Sequence, residues 1–178
     1  MKLSNFFKLV IAILISELAG FIGSLFVSPA IPVWYEGLVK PAFNPPNWVF
    51  GSVWFILYAL MGVAAFFIWR EGLKRRAVKI ALAIFIFQLI INIFWSVIFF
   101  GAHNTGLAFM EIISLWCAIL ATILSFYEIN HKAAYLLLPY ILWVMFAAYL
   151  NYSIWQLEIS PDNQPLVISQ TLKIKIPA

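Results

Sequence analysis

The chain has 178 residues, of which 65% are apolar and 10% charged, and its mean hydropathy is +0.99. A water-soluble domain carries roughly 25% charged residues and a disordered chain is far less apolar, so both classes are excluded. Eleven Lys and Arg against seven Asp and Glu give a net charge of +4. The bases cluster beside apolar runs and form no stripe that could track phosphates, so no nucleic-acid partner is expected.

A bilayer core of about 30 Å needs about 20 apolar residues per helix. Five segments meet that length, 9–27, 48–69, 78–100, 105–127 and 133–157. The expected fold is therefore an all-α membrane protein, a five-transmembrane-helix bundle within residues 1–157. In the first segment, Lys2 and Lys8 precede an apolar run too long for a usual signal-peptide core, and no small-x-small cleavage site follows, so a retained helix is expected. Ala12, Ser16, Gly20 and Ser24 recur every four residues along it, a small-residue seam that could serve internal packing or a homodimer. Glu17 lies near its middle. A carboxyl in hydrocarbon is costly, and two readings stay open for it, proton coupling to transport or a protonated donor to a neighbouring helix.

The 28–47 stretch holds five of the nine prolines, which predicts a stiffened loop with no regular helix throughout. The second helix repeats Phe50, Trp54 and Tyr58, and the Arg70–Lys79 linker after it reads as a solvated anchor at a membrane face. The third places Gln88, Asn92 and Ser96 on one face, with Trp95 beside them. The turn 101–104 is short enough to make the third and fourth helices antiparallel neighbours. On the fourth helix Glu111, Ser114, Ala118, Thr122 and Ser125 form another polar or small stripe, and the fifth repeats Trp143, Ala147 and Asn151. The tail, 158–178, is polar and broken by prolines before an alternating end, and is expected to be loosely ordered.

Five spans put the termini on opposite sides. Eight bases (Lys2, Lys8, Arg70, Lys74, Arg75, Arg76, Lys79, Lys132) fall on one side and three (Lys40, Lys173, Lys175) on the other. That imbalance predicts a multi-pass cell-membrane protein with a cytoplasmic N-terminus and the first loop and C-terminus outside. Trp54, Asn92, Trp95 and Asn151 then share the outer half of the bilayer, beneath the proline-rich loop. Bulky rings with polar handles at one depth suggest a roofed pocket for a flat, largely apolar ligand, whereas an interfacial aromatic belt would populate both interfaces and lack the amides. Nucleotide, zinc-protease and serine-hydrolase motifs are absent. The only histidines, His103 and His131, fall at opposite faces, so no metal site is expected. The sequon at Asn151-Tyr152-Ser153 lies inside a helix and should be inert.

The run Trp34-Tyr35-x-x-Leu38-x-Lys40-Pro41-x-Phe43-x-Pro45-Pro46-x-Trp48-Val49-Phe50-x-x-Val53-Trp54-x-x-Leu57-Tyr58 closely resembles the signature of the translocator protein family, the tryptophan-rich sensory proteins or peripheral-type benzodiazepine receptors. Gln88-Leu89-x-x-Asn92-x-x-Trp95-Ser96-x-x-Phe99-Phe100-Gly101 and Pro139-Tyr140-x-x-Trp143-x-x-Phe146-Ala147-x-x-Leu150-Asn151-Tyr152 extend the resemblance. It implies a five-helix bundle that binds porphyrins, sterols and synthetic isoquinoline or benzodiazepine ligands. Carried onto matching positions, the pocket would use Tyr35, Trp54, Tyr58, Asn92, Trp95, Trp143, Ala147 and Asn151. Bacterial members are linked to stress-responsive control of tetrapyrroles, and light-driven porphyrin breakdown would assign the chemistry to Trp54 and Trp143. No cofactor is implied beyond porphyrin as ligand or substrate. The family's sterol motif is incomplete, since Leu150 and Tyr152 are followed by Gln156 and no base, which places porphyrin ahead of sterol.

Overall fold

A computed structural model describes residues 4–160, and every described element is helical. Helix α1 spans Asn5–Val33, α2 Asn47–Trp69, α3 Arg76–Ser96, α4 Thr105–Tyr127, α5 His131–Tyr135 and α6 Leu138–Ile159. A π-helical turn, Val97–Gly101, continues α3, and α5 with α6 makes one long apolar unit, so five spans are long and apolar enough to cross a membrane. The expected five-helix architecture is therefore the observed one. Lys173 and Lys175, like the tail beyond residue 160 and Lys2, lie outside the described residues.

The ends of the helices follow local chemistry. Ser4 accepts from the Phe7 amide, Asn104 from Leu107 (2.8 Å) and Asn130 from Lys132 (3.1 Å), each satisfying donors that a helix start leaves free. Pro139 sits in the first turn of α6, where a missing N–H costs nothing. One boundary departs from expectation. Pro29 and Pro32 lie within α1, which runs on to Val33, so the connection to α2 is 34–46 and not 28–47. Each proline removes the bond its own N–H would make and crowds the carbonyl four residues earlier, but its fixed φ remains helical, and membrane helices tolerate such gaps where neighbours or a cavity meet the freed carbonyl. A second departure is the break at 136–137 that separates α5 from the rest of the fifth span.

The packing neighbours run α2, α1, α3, α4, α6, with α5 closing against α2 and α4. The loop 34–46 and the turn 102–104 share one end of this bundle, the loop end, and the 70–75 linker lies at the other. Toward the linker end the core is solid: Met61, Ala64, Ile68, Val78, Ala81 and Phe126 are completely buried. There α1 and α2 touch backbone to backbone, since a Cβ added at Gly62 would come within 2.5 Å of Ile13 Cα. Toward the loop end the same helices separate around a cavity.

Candidate functional site

The cavity, about 530 Å³, is walled by α1, α2, α3 and α6 and lies beneath the 34–46 loop. Of the eight residues expected in a pocket, Tyr35, Trp54, Tyr58, Asn92, Trp95, Ala147 and Asn151 line it together. Trp143 does not. It faces a separate shallow depression with Pro45, Val53, Leu57 and Phe146, and meets the cavity's wall at Phe50, whose ring lies edge-on to it at 5.9 Å. The four-residue spacing that grouped Trp143 with Ala147 and Asn151 drifts by about 40° around the helix at each step. Two steps carry Trp143 into the seam between α2 and α6.

The roof is built from the loop inward. Tyr35, in a short 3-10 turn (Tyr35–Gly37), is buried against Phe99, Phe100 and Ile154, and its hydroxyl donates to Asn44 Oδ1 (3.0 Å). Burial pushes the Tyr35 phenol pKa up. Lys40 Nζ donates to the carbonyls of Tyr35 (2.6 Å), Leu38 (3.1 Å) and Glu36 (3.2 Å), which uses all three ammonium donors, and it lies 4.8 Å from the Tyr35 ring centre. Burial holds the Lys40 pKa down, against the opposing charge of Glu36. Trp34 stacks on His103 (4.3 Å) and meets Phe99 at 5.4 Å, seating the loop on the α3–α4 turn. His103 occupies the left-handed region, with φ 53°, a conformation uncommon outside glycine.

Two hydrogen-bond chains hold the walls. In the first, the Tyr58 hydroxyl donates to Asn92 Oδ1, Asn92 Nδ2 donates to the Tyr140 hydroxyl (2.9 Å), and that hydroxyl donates to Gln88 Oε1 (2.9 Å). It links α2, α3 and α6 beneath the cavity. In the second, Trp95 Nε1 donates to Asn151 Oδ1 (3.2 Å), Asn151 Nδ2 donates to the Thr105 carbonyl (2.7 Å), and the Thr105 hydroxyl donates to Glu158. It links α3, α4 and α6 at the loop end. Both asparagines are buried and engaged on both sides of the amide, so their first task is to join helices.

The cavity also includes Glu17 and Ser28, which stand outside the expected pocket set, and Gly20, Phe50 and Ser96, which belong to the four-residue rows without being assigned to the pocket. The sequence marks Glu17 as a costly carboxyl without assigning it to a pocket. The signal was the adjoining seam, because Gly20, one turn along the same face, lies directly against the Tyr58 ring. The seam itself is spent inside the chain: Ala12 and Ser16 are buried and Gly20 and Ser24 line the cavity. The α4 stripe is split, with Thr122 buried and Ser114 exposed. Phe21 and Phe55 also line the cavity while remaining 62% and 65% exposed, so the opening between α1 and α2 faces sideways, toward the surface that a bilayer covers.

Five apolar spans around a roofed, aromatic-walled cavity define a multi-pass helical membrane protein with an intramembrane pocket. The chain belongs to the TspO/MBR family, whose model matches residues 12–156. It is 42% identical over 155 residues to the tryptophan-rich protein TspO of Archaeoglobus fulgidus, an alignment covering 86% of this chain and 99% of that protein. It is 39% identical to the human translocator protein (79% of this chain, 83% of the relative) and 33% identical to protein CrtK of Rhodobacter capsulatus (84% and 91%).

Proposed function

We propose that the protein binds a planar, largely apolar small molecule of the tetrapyrrole class in the cavity and senses, buffers or passes it along the membrane. The observation that carries this reading is the meeting of Trp54, Tyr58, Trp95 and Phe99 around one 530 Å³ space. That volume lies within the roughly 300–1,000 Å³ of small-molecule pockets, and aromatic walls favour a flat guest through stacking and area burial. A ligand of this kind would reach the site from the bilayer, past Phe21 and Phe55. The basic-residue imbalance supports a cytoplasmic N-terminus and a loop that faces outward.

Titrating protoporphyrin into the purified protein in lipid nanodiscs tests the reading by quenching of tryptophan fluorescence. Gly51 lines the cavity with nothing within 4 Å of an added Cβ, so Gly51→Trp fills the space without displacing a neighbour and should weaken binding at least tenfold. Trp143→Phe, outside the wall, should change affinity less than twofold. Equal affinity in wild type and Gly51→Trp would place any bound porphyrin elsewhere. Light-driven breakdown by the Trp54 and Trp143 pair is the weaker reading, because only Trp54 lines the cavity; it requires loss of porphyrin absorbance under illumination that Trp54→Phe abolishes.

A further inference from the structure

One carboxyl in the cavity wall has no counterpart in the chain. Glu17 is the only acid among the described lining residues, and no Lys, Arg or His lines the same space. Its Oε1 is buried without a hydrogen-bond partner, and both ion pairs among the described residues belong to Glu71 at the linker end. A carboxyl within a membrane ordinarily meets a base or a backbone donor that offsets its cost, and here neither is supplied. Glu111 shares the lack of a partner but stands on α4, which contributes nothing to the cavity. The surroundings of Glu17 are aromatic. Gly20, one turn nearer the loop end on the same face of α1, lies against the Tyr58 ring, and the Trp54 ring is 5.5 Å from Tyr58. Trp95 and Phe50 wall the same space from α3 and α2.

We infer that Glu17 makes the floor of the cavity a subsite for a basic nitrogen, so that a flat aromatic amine is a ligand class of this pocket alongside the tetrapyrroles proposed above. Ring faces attract a cation most strongly where water is excluded, and a carboxylate accepts a charge-assisted bond from the same group. The ammonium donates to Glu17 and lies against Tyr58 and Trp54, while the flat remainder of the guest packs between the other rings. An amine that crosses the lipid as its free base takes the carboxyl proton on arrival: an O–H bond breaks, an N–H bond forms, and carboxylate and ammonium are left as a pair. No bare charge then has to cross hydrocarbon. Such binding rests on the cavity admitting a flat small molecule, as proposed above, and is independent of the tetrapyrrole.

Proflavine and acridine share one three-ring frame, and in mildly alkaline buffer the first is a cation and the second is neutral. Equilibrium dialysis of each against the full chain in nanodiscs of zwitterionic lipid, corrected by partition into protein-free nanodiscs, gives the ratio of the two affinities. Wild type should favour proflavine about tenfold, the size of one charge-assisted bond. Glu17→Gln keeps the shape and removes the charge, and should bring the ratio to within about twofold of unity, with thermal unfolding reporting that the variant is folded. Phe21→Lys sets an ammonium one helical turn along α1 from Glu17, at the spacing of an ion pair, and should collapse the ratio in the same way with the acid left in place. A wild-type ratio near unity would overturn the inference, as would a preference that survives Glu17→Gln or, should that variant not fold, Phe21→Lys. A wild type that binds protoporphyrin and shows no preference leaves the tetrapyrrole reading standing and ends this one. A preference carried by Glu17 in a protein that does not bind protoporphyrin does the reverse.

Discussion

The two halves of the bundle are built from the same five apolar spans and do opposite things with them. Toward the linker end, small residues let backbones meet and large aliphatic side chains leave no space, as at Gly62 against Ile13 and around Met61 and Ile68. Toward the loop end, hydrogen bonds carry the helix contacts and the middle stays open. In hydrocarbon, where lipid is as apolar as leucine, dispersion holds helices that can touch and polar bonds hold helices that cannot. A hollow membrane bundle therefore concentrates its asparagines, tyrosines and tryptophans around the hollow for structural reasons before any ligand is considered.

The sharpest way to break that contrast is one enlargement in each half. Gly62→Leu should cost about 3 kcal/mol or prevent folding, because the added atoms meet backbone that cannot turn away, whereas Gly51→Leu should leave thermal stability within about 0.5 kcal/mol. Thermal unfolding followed by circular dichroism in detergent gives both values, and equal losses would show that the loop-end half is as tightly packed as the other. Asn151→Ala comes next. It leaves Trp95 Nε1 without its partner in a buried site and takes from the Thr105 carbonyl the bond it accepts beyond its own helix, so a loss of about 2 kcal/mol is expected, with weaker ligand binding as a consequence of misplaced helices. Tyr58→Phe removes one donor from a chain that keeps its other bonds, and should cost about 1 kcal/mol.

The smallest effect concerns the roof. The Tyr35 phenol has its pKa raised in the folded protein, so its neutral form supports the loop fully below pH 10 and that support is lost as pH rises through the folded value. Limited proteolysis of the 34–46 loop should accelerate in that alkaline range in wild type. Tyr35→Phe should show the faster cleavage already at neutral pH, with no further step attributable to this position. A wild-type loop with no change between pH 9 and 12 would contradict the role given to the phenol.

Much of this was legible in the chain itself. Long apolar runs are their own evidence for spans, and recurrence every four residues found the inward faces of α2 and α3, because a membrane helix has few polar residues and little reason to waste them on lipid. What escaped was anything set by rotation or by a backbone irregularity. Trp143 shares a spacing with Ala147 and Asn151 but not a wall, since the drift of a helical row is invisible until a neighbour fixes which part of it faces in. Pro29 and Pro32 read as loop formers because proline's effect in water dominates expectation, while a helix in lipid has nothing better to become. Glu17 could be noticed but not placed, because its meaning depends on Gly20 and Tyr58 across the interface. The three bonds of Lys40 have no one-dimensional signature at all.

The wide turn at Val97–Gly101 has its own consequence. A π-turn holds one more residue than an α-turn over the same stretch of axis, and here it aims Phe99 and Phe100 at the roof and delivers His103 onto Trp34. Deleting a single residue from it would restore an ordinary ladder and change which rings of the turn face the roof. The lid would then lose its seat with no side chain of the lid altered, so the fit of cover to vessel is encoded in a miscounted turn of main chain.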